Sequence, residues 1–416
     1  MKRFTQTGNW LLIGLICLTG LLACNNNTLF RIQTDIPELA LLADQYQALP
    51  GAPSIIIEYK AQLVSNFPLG NAPDLLVGHG LYNQPSLDNL ANQKELFETD
   101  PVNIGEFYDF SFIKHHDEYR LSVLSWDLPA IITRVPETSQ DFYEGIMLAL
   151  DNLRDKGVQF NARKKGSLHA LGFSPMQASE FLYMVAQCQG ASLSSDYRGY
   201  PTWNPDGLQK SIANLNDWST RFNGGTDQET AFISKFTYDP VYQLLHQGRL
   251  SFAYSRSSDF LRQPQTVSQG LSLHWPSWQD RLLILDNFVA AGIPRQASHK
   301  PEAIRFIKWL LREDTQTAAI AAILDSGQYS FGFLQGFSTR RLVNEKTIPF
   351  YFPLVRLRIP PDSALNFPPL QGIQWETYKK EVFEPWFRQH IIQGNLDTAS
   401  LKSTSKQWLL HLGLDP

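Results

Sequence analysis

The sequence predicts an α/β fold that is divided into two domains. Segments typical of strands and of helices alternate along the chain, which indicates a parallel or mixed sheet with helices on its faces. The 416 residues exceed what one hydrophobic core normally organises, so two domains are expected. Hydrophobic and aromatic contents of 43% and 12% are typical of a globular chain and exclude a largely disordered one.

The amino-terminal segment has the pattern of a lipoprotein signal peptide. Two basic residues precede an apolar run, Trp10 to Cys17, whose length suits a signal peptide and is short for a membrane span. The sequence Leu-Leu-Ala-Cys ends this segment at Cys24, which predicts a signal peptide over residues 1–23 and acylation of Cys24. Residues 24–28 would form a polar tether. An uncleaved anchor helix is the alternative interpretation.

Cysteine usage and charge exclude several classes of protein. Cys17 would leave with the signal peptide and Cys24 would be acylated, so Cys188 would be the one cysteine left for pairing. The mature chain therefore has no internal disulfide and no paired-cysteine metal site. The net charge of the full sequence is −4, and removal of the two basic residues of the signal peptide would make it more negative by two. A mildly acidic chain without a basic stripe argues against nucleic acid as a partner.

The first part of the mature chain alternates between strand and helix patterns. Apolar residues at helical spacing, from Leu39 to Leu49, predict a helix. Asp35, three residues before Glu38, is a plausible N-cap for it. The predicted strands are Leu29 to Gln33, Ser54 to Tyr59, Asp74 to Val77, Tyr119 to Leu124 and Ala130 to Thr133.

The second part of the chain is richer in helix patterns. The predicted helices are an amphipathic stretch from Phe142 to Leu153, then Ala178 to Gln187, Asn204 to Trp218, Pro301 to Arg312 and the aromatic tail Gln374 to Gly394. Leu250 to Tyr254 is a predicted strand. Leu282 to Ala290 is apolar nearly throughout, which predicts a central strand.

Six short segments resemble, in order along the chain, motifs of extracellular solute-binding protein family 1, which includes maltose- and other sugar-binding lipoproteins. They are Phe30 to Tyr59 (the opening strand, helix and strand), Pro73 to Leu76 (a Pro-Asp strand), Tyr119 to Asp127 (a central tyrosine-glycine-leucine-proline segment), Val135 to Thr138 (a crossover into the second lobe), His246 to Phe252 (a Gly-Lys-Ala-Ala-Met element) and Asp286 to Gln316 (ending in an Ala-x-x-Phe-Ile-x-x-Leu helix). The resemblance covers most of the mature chain, although each motif is short.

The resemblance implies a two-lobed periplasmic-binding-protein-like fold, in which each lobe is a mixed sheet flanked by helices and hinge segments join the lobes. Lobe 1 would comprise residues 29–134 and 282–335, and lobe 2 residues 138–278 and 340–416. Such a protein is expected to be a monomer on the exterior of a bacterial membrane that captures a small polar solute, with a carbohydrate favoured, by hinge closure. It would deliver the solute to the permease of an ABC transporter and would need no cofactor or metal.

The sequence departs from the family pattern at three places. Ser139 stands where tryptophan is usual, and Gln189-Gly190 and Asp286-Asn287 stand where the family has glycine pairs. Because the two pairs would lie near the ligand, the solute need not be a familiar sugar. Asp286 and Asn287 are themselves candidate ligand-binding residues.

Four polar or aromatic side chains at predicted strand ends are the first candidates for ligand binding. Trp126 and Asp127 could stack on a sugar ring and accept its hydroxyl groups, or they could be a buried tryptophan and a turn-capping carboxylate. Asp35 lies at the opening strand-to-helix turn, where its alternative role is the N-cap. His79 lies between two glycines, as a cleft contact or as an ordinary loop histidine.

The second lobe offers five further candidates. Phe173, Trp275 and Trp278 are loop aromatics that either line the cleft or pack under loops. Ser255 and Arg256 follow a predicted strand, and the guanidinium group could bind a carboxylate or phosphate in a bidentate manner. A surface arginine is the alternative.

No motif of a common enzyme class is present, since the sequence has no nucleophile elbow, P-loop, His-Glu-x-x-His or Gly-x-Gly-x-x-Gly after a strand. The segment His115 to Glu118 resembles a metal site in composition, but adjacent residues of a strand or helix point apart, so a solvated turn is predicted. Two alternatives to solute capture remain: a surface-interaction lipoprotein that kept the scaffold without its ligand, and an enzyme acting on glycosides, whose paired carboxylates need no fixed motif.

Overall fold

The computed structural model describes residues 29–63, 67, 70–134 and 145–414. The predicted signal peptide, Cys24 and the tether lie outside these residues, as does the crossover motif from Val135 to Thr138 with Ser139. Within the described ranges, no helix combines the length and the apolar content that crossing a bilayer requires.

The strands of the described residues are numbered in chain order. They are β1 (Leu29–Thr34), β2 (Ser54–Tyr59), β3 (Leu75–Gly78), β4 (Phe112–His115), β5 (Glu118–Trp126), β6 (Pro129–Arg134), β7 (Met147–Ala149), β8 (Ala162–Lys164), β9 (Ser167–Ala170), β10 (Ser194–Ser195), β11 (Pro201–Thr202), β12 (Phe252–Arg256), β13 (Leu271–Ser277), β14 (Leu282–Leu283), β15 (Val289–Gly292), β16 (Phe337–Ser338) and β17 (Leu365–Asn366).

The α-helices of the described residues are numbered in the same way. They are α1 (Leu39–Gln47), α2 (Gln84–Asn89), α3 (Leu150–Val158), α4 (Ser179–Cys188), α5 (Pro205–Asp217), α6 (Thr226–Lys235), α7 (Val241–His246), α8 (Ser257–Leu261), α9 (Gln265–Ser268), α10 (Lys300–Leu310), α11 (Glu313–Asp325), α12 (Ile348–Tyr351), α13 (Trp375–Tyr378), α14 (Glu384–Gln393) and α15 (Thr398–His411). Three π-helical turns also occur, at Trp218–Phe222, Val343–Thr347 and Lys379–Phe383.

The first sheet is mixed and has the strand order β16-β5-β15-β3-β1-β2, with β4 paired to β5. β1 is parallel to β2 and β3, and β15 is antiparallel to both β3 and β5. β1, β3 and β5 therefore run in the same direction and end at the same edge. Their side chains are buried nearly throughout, as expected for strands covered by helices on both faces.

The second sheet is smaller and has the order β12-β6-β13-β7. β6 is antiparallel to β12 and β13, while β13 is parallel to β7. Helices α4, α5 and α14 pack together in this lobe, and the buried aromatic rings of Phe181, Trp218 and Phe387 belong to its core. The sheets and their helices form the two-lobed mixed α/β fold that the sequence predicts.

Two hydrogen bonds tie together the segments that connect the lobes. The chain passes from β5 to β6 through Asp127 and Leu128, and it passes from β14 towards β15 beside them, where the Leu285 amide donates to the Asp127 carbonyl (2.9 Å). The Ile284 amide donates to the carbonyl of Asn366 in a third segment (2.9 Å). We call these three segments, residues 127–128, 284–287 and 365–366, the hinge.

Several predicted elements differ from the structure. β6, which the predicted lobe 1 includes, pairs with β12 and β13 of the second sheet. The predicted central strand Leu282 to Ala290 is two short strands, β14 and β15, because the hinge separates them. Within the predicted helix from Phe142 to Leu153, Met147–Ala149 is a strand that pairs with β13, and helix α3 begins only at Leu150.

The other predicted helices and strands are confirmed to within a few residues. Asp35, however, is not the N-cap of α1, since that position belongs to Glu38 and no side chain caps the helix. Asn204 caps α5 by accepting a hydrogen bond from the Asp206 amide, which agrees with the predicted turn into that helix.

Candidate functional site

A cavity of about 110 Å³ lies between the two lobes, at the edge where β1, β3 and β5 end. First-lobe and hinge residues form most of its wall. The other side is closed by residues of α8 and its two flanks, namely Arg256, Ser258, Asp259 and Arg262. The polar lining residues are Glu38, His79, Ser125, Asp127, Arg256, Ser258, Asp259, Arg262, Asn287, Ser330 and Gln335. In α/β sheets, ligands bind outside the carboxyl ends of the strands, and the cavity occupies that position.

His79 enters the cavity from the end of β3 and is held by Asp35 at the end of β1. The Asp35 carboxylate accepts a hydrogen bond from the His79 amide (3.2 Å) and lies 2.9 Å from His79 Nδ1. Since Nδ1 faces Asp35, Nε2 is the ring nitrogen left for another partner. Asp35, predicted as a ligand contact, does not line the cavity and instead orients His79.

The close approach of Asp35 depends on Gly78. A Cβ atom at position 78 would lie 2.0 Å from Asp35 Oδ1 and 2.8 Å from a methyl group of Leu63. Glycine at this strand end therefore makes room for the carboxylate that positions His79.

Trp126 borders the cavity, but its ring is a core side chain. It is 1% exposed, packs against Tyr108, Phe110 and Phe337, and donates its indole N–H to the Ser338 carbonyl (2.8 Å). The alternative interpretation of a buried tryptophan is therefore the correct one. No face of the ring is free to stack on a solute.

Asp127 is a hinge residue that holds the second lobe. Its carboxylate accepts hydrogen bonds from the hydroxyl groups of Ser257 and Ser258 and from the Ser258 amide (3.1 Å), all at the start of α8. Burial raises the pKa of Asp127 to about 6, although these donors and the Leu128 amide favour the charged form. The predicted turn-capping alternative describes this carboxylate better than direct binding of hydroxyl groups.

Arg256 lines the cavity with its guanidinium group already paired. Its Nη2 lies 2.7 Å from Glu180 Oε1 and its Nε donates to Glu180 Oε2 (2.9 Å), while Tyr254 donates to the same carboxylate (3.0 Å). Although burial opposes it, the Glu180 carboxylate raises the pKa of Arg256 above its ordinary value. Because Glu180 occupies the bidentate fork, the predicted binding of a carboxylate or phosphate by Arg256 does not fit this geometry.

The two remaining hinge candidates have different surroundings. Asp286 is 4% exposed and forms an ion pair with the buried Lys379 (2.6 Å) while accepting a hydrogen bond from the Trp375 indole (2.6 Å). Although burial opposes it, this pairing lowers the pKa of Asp286. Asp286 does not line the cavity. Asn287 does line the cavity, and its Oδ1 is buried without a hydrogen-bond partner among the described residues.

Four predicted contacts lie away from the cavity. Phe173 and Trp275 are at most 1% exposed and belong to the packed interior, as the packing alternative held. Trp278 is partly buried, with Lys210 Nζ 5.9 Å from its ring centroid. Ser255 is buried and bonds to the Tyr242 hydroxyl (3.0 Å). None of the four lines the cavity between the lobes.

Sequence reasoning missed several residues that do line the cavity. Glu38 is 7% exposed, and its carboxylate accepts from the Ser330 hydroxyl (2.9 Å) and from Gln335 Nε2 (2.9 Å). Tyr329 lies in the loop after α11 and is 72% exposed, so its ring faces are available at the cavity. Asp259 and Arg262, one turn apart on the second lobe, pair with each other (2.7 Å).

The basic side chains of the cavity wall are all paired with acids, whereas not all of its acidic side chains are paired with a base in the part of the chain that the structure describes. Each of the basic residues that line it has an acidic partner: His79 has Asp35, Arg256 has Glu180 and Arg262 has Asp259. Among the described residues Glu38 has no cationic partner and relies on neutral donors. The cavity therefore offers hydrogen-bond acceptors, and an anionic ligand would find no uncompensated cation there.

No protein-family model matches the sequence, and a search of curated proteins finds no relative. Solved structures, in contrast, match over nearly the whole chain. The sugar-binding protein MalE from Xanthomonas citri is 15% identical with a TM-score of 0.64, over 91% of this chain and 96% of that one. An extracellular solute-binding protein family 1 from Alicyclobacillus acidocaldarius is 12% identical with a TM-score of 0.60, over 92% and 97%.

The same fold also occurs in an enzyme. Thiaminase I from Bacillus thiaminolyticus is 15% identical with a TM-score of 0.57, over 88% of this chain and 99% of that one. At these identities the likeness establishes the fold, which is that of the family 1 solute-binding proteins, and leaves function to be argued from the site.

Proposed function

We propose that this chain is a solute-binding lipoprotein that captures a small polar solute, with a carbohydrate favoured, and delivers it to an ABC transporter. The observation that carries the proposal is the cavity between the lobes, whose wall includes the hinge. Closing two lobes around such a cavity is how this architecture binds a ligand and excludes water. The sugar-binding function of the structural neighbour from Xanthomonas citri supports the same ligand class.

The charges of the cavity narrow the class of solute. Glu38 and Nε2 of a neutral His79 can accept hydrogen bonds, and Asn287 Oδ1 lacks a partner among the described residues. The guanidinium groups of Arg256 and Arg262 are compensated by their own acids. A neutral polyhydroxyl compound supplies many hydroxyl donors and carries no charge that needs a cation. Sugars and polyols are therefore favoured over phosphorylated compounds and carboxylates, which would place a second negative charge beside Glu38.

Tyr329 provides the aromatic surface that a sugar-binding site needs. A sugar presents C–H groups on one face of its ring, and a tyrosine ring can cover that face while its hydroxyl stays in water. We assign this role to Tyr329 in place of Trp126, since the ring of Trp126 is enclosed by other aromatic side chains.

The size of the cavity implies that larger solutes require an open form. A volume of about 110 Å³ is well below the roughly 300–1,000 Å³ of typical ligand pockets. We therefore infer a nearly closed arrangement, from which the lobes would have to move apart at the hinge before an oligosaccharide could enter. From the pairing of their strands, we assign β1 to β5, β15 and β16 to one lobe and β6, β7, β12 and β13 to the other.

Anchoring and delivery rest on the sequence alone. The apolar run from Trp10 to Cys17 and the Leu-Leu-Ala-Cys sequence ending at Cys24 support export and acylation of Cys24. A lipid-anchored monomer facing the cell exterior or periplasm would present its solute to permease subunits in the same membrane.

A thermal-shift panel of sugars, polyols, phosphorylated polyols and amino acids tests the proposal. A neutral sugar or polyol should raise the unfolding temperature in proportion to the logarithm of its concentration above the dissociation constant, and phosphorylated analogues should not. If no soluble compound shifts the midpoint, the scaffold serves another purpose, and a surface-interaction lipoprotein without a ligand becomes the better assignment.

The thiaminase I neighbour makes an enzyme the second candidate. Cys188 is the one cysteine among the described residues, and its thiol lies outside the cavity wall. Burial raises the pKa of this thiol to about 12, which makes it a poor nucleophile. Incubation with glycosides and with thiamine, followed by chromatography of the products, distinguishes turnover from reversible binding.

A further inference from the structure

The turn between β4 and β5 carries a cluster of possible metal ligands. One nitrogen from each of His115 and His116 and one carboxylate oxygen of Asp88 lie within 4.8 Å of one another. His115 Nε2 lies 2.9 Å from Asp88 Oδ1, and His116 Nε2 lies 3.9 Å from the same oxygen. The cluster is on the first lobe, outside the set of residues that line the cavity between the lobes.

The backbone of the turn explains why two adjacent histidines converge. His116 and Asp117 have φ angles of +50° and +60°, so the strand geometry that would point successive side chains apart ends at His115. The two imidazole rings consequently lie side by side, with centroids 4.0 Å apart. Asp88 reaches them from the last turn of α2. The sequence-based argument that these histidines must diverge is therefore wrong.

His115 Nε2 has contacts that no single protonation state satisfies. Asp88 Oδ1 requires a proton on this nitrogen, whereas Gln84 Nε2, 3.1 Å away, is itself a donor and requires a lone pair there. Rotating the Gln84 amide would not help, because Nε2 also donates to Asp88 Oδ2 (3.1 Å) and an oxygen in its place would face the carboxylate. A cation between His115 Nε2 and Asp88 Oδ1 would use a lone pair of each atom and need no proton between them, and the Gln84 amide would then donate to Asp88 Oδ2 alone.

We propose that Asp88, His115 and His116 bind a divalent transition-metal ion such as Zn²⁺. Two imidazole nitrogens and one carboxylate oxygen are a donor set that zinc, copper, nickel and iron accept, while calcium and magnesium prefer oxygen alone. The side chains of Asp88 and His116 are 48% and 75% exposed, so water can complete the coordination and the ion can enter from solvent. Gln84 donates to Asp88 Oδ2 and would orient that carboxylate.

Isothermal titration of the untagged, EDTA-treated chain with ZnCl₂ tests the proposal. One Zn²⁺ should bind per chain, and Asp88→Asn or His116→Asn should each weaken binding by at least about tenfold. Asparagine is chosen at position 116 because it tolerates a positive φ. The matched control is His411→Asn, which removes an exposed histidine from the end of α15 and should leave the affinity unchanged.

A second measurement keeps the test independent of variant folding. In proton NMR spectra of the wild-type chain, Zn²⁺ should shift the imidazole ring signals of His115 and His116 and should leave the ring signals of His411 unchanged. Binding that is undetectable at 1 mM Zn²⁺, or binding that survives both substitutions with full affinity, would overturn the proposal. Neither result would affect solute capture, which uses different residues.

Discussion

The side chains at the cavity are of two kinds: some have atoms free to contact a solute, and others use their polar atoms for bonds within the protein. Tyr329, Asn287 and His79 have free surface, a free acceptor atom or a free ring nitrogen. Asp127 and Asp286, which the sequence also offers as candidates, are used internally for hydrogen bonds and an ion pair. A carboxylate at a strand end is thus a useful pointer to the site but does not identify the residue that touches the ligand.

Replacing Tyr329 with alanine should weaken binding of whichever sugar or polyol the thermal-shift panel identifies. Loss of an exposed aromatic surface worth about 1 kcal/mol corresponds to a roughly five- to tenfold rise in the dissociation constant. The matched control is Tyr238→Ala, because Tyr238 is 98% exposed and lies outside the cavity. Equal affinities for the two variants, measured by calorimetry, would remove Tyr329 from the site.

At the scale of elements, the buried Lys379 joins the carboxyl-terminal helices to the hinge. Its ammonium group lies 2.6 Å from Asp286 and 2.7 Å from Glu376, and these carboxylates raise its pKa although burial opposes the charge. The ion pair therefore connects the π-helical turn Lys379–Phe383 to the segment that links β14 with β15. Breaking it leaves an uncompensated charge in the interior.

Lys379→Met should lower the free energy of unfolding by about 3–5 kcal/mol, because Asp286 would remain buried without its partner. Lys380→Met, a change of the neighbouring exposed lysine, should alter stability by less than about 0.5 kcal/mol. The double variant Asp286→Leu with Lys379→Met should recover part of the loss, since it removes both charges. Urea titrations measure all three, and an unchanged midpoint for Lys379→Met would show that the pair contributes nothing.

His274 in β13 should make the second sheet sensitive to acid. It is 2% exposed, and burial, assisted by Arg358, lowers its pKa to about 4, well below the ordinary value of 6.5. Since the folded state disfavours the proton, stability that is present above pH 6.5 is lost as the pH falls from 6.5 towards 4, by up to about 3 kcal/mol.

His274→Gln isolates this effect because glutamine does not titrate. As the pH falls from 7 to 4, the wild type should lose more unfolding free energy than the variant, so the variant becomes more stable relative to the wild type. Urea titration at each pH measures this difference. His411→Gln, at an exposed histidine, should show no such trend. A constant difference for His274→Gln across the range would contradict the burial of a neutral imidazole.

At the scale of the whole molecule, the segments of the hinge run side by side and are joined by backbone hydrogen bonds. If the protein captures a solute as proposed, the lobes would rotate about these segments without breaking either sheet. Under the proposed function, capture of a solute requires an open form that the ligand converts to a closed one.

Small-angle scattering should detect this conversion. Without ligand, the radius of gyration in solution should exceed the value calculated from the structure, and the identified sugar or polyol should reduce it. Tyr329→Ala should need a higher ligand concentration for the same reduction. A radius that already matches the structure and does not respond to ligand would argue for a fixed scaffold and against transport.

The sequence by itself determined the α/β class and most helices and strands, and it predicted a candidate site at the strand ends. These follow from local periodicity and turn chemistry, which involve neighbours along the chain. Five predicted contacts, namely His79, Trp126, Asp127, Arg256 and Asn287, do border the cavity.

Only the tertiary structure decided which of these side chains have polar or aromatic groups that are not already bonded or packed within the protein. Glu180 occupies Arg256, Lys379 occupies Asp286, an aromatic cluster encloses Trp126, and a left-handed turn brings His115 beside His116. The partners lie tens to hundreds of residues away along the chain in most of these contacts, so no local pattern reveals them. Whether a charged or aromatic group faces solvent or a partner is a property of the packed molecule, and that property determines binding.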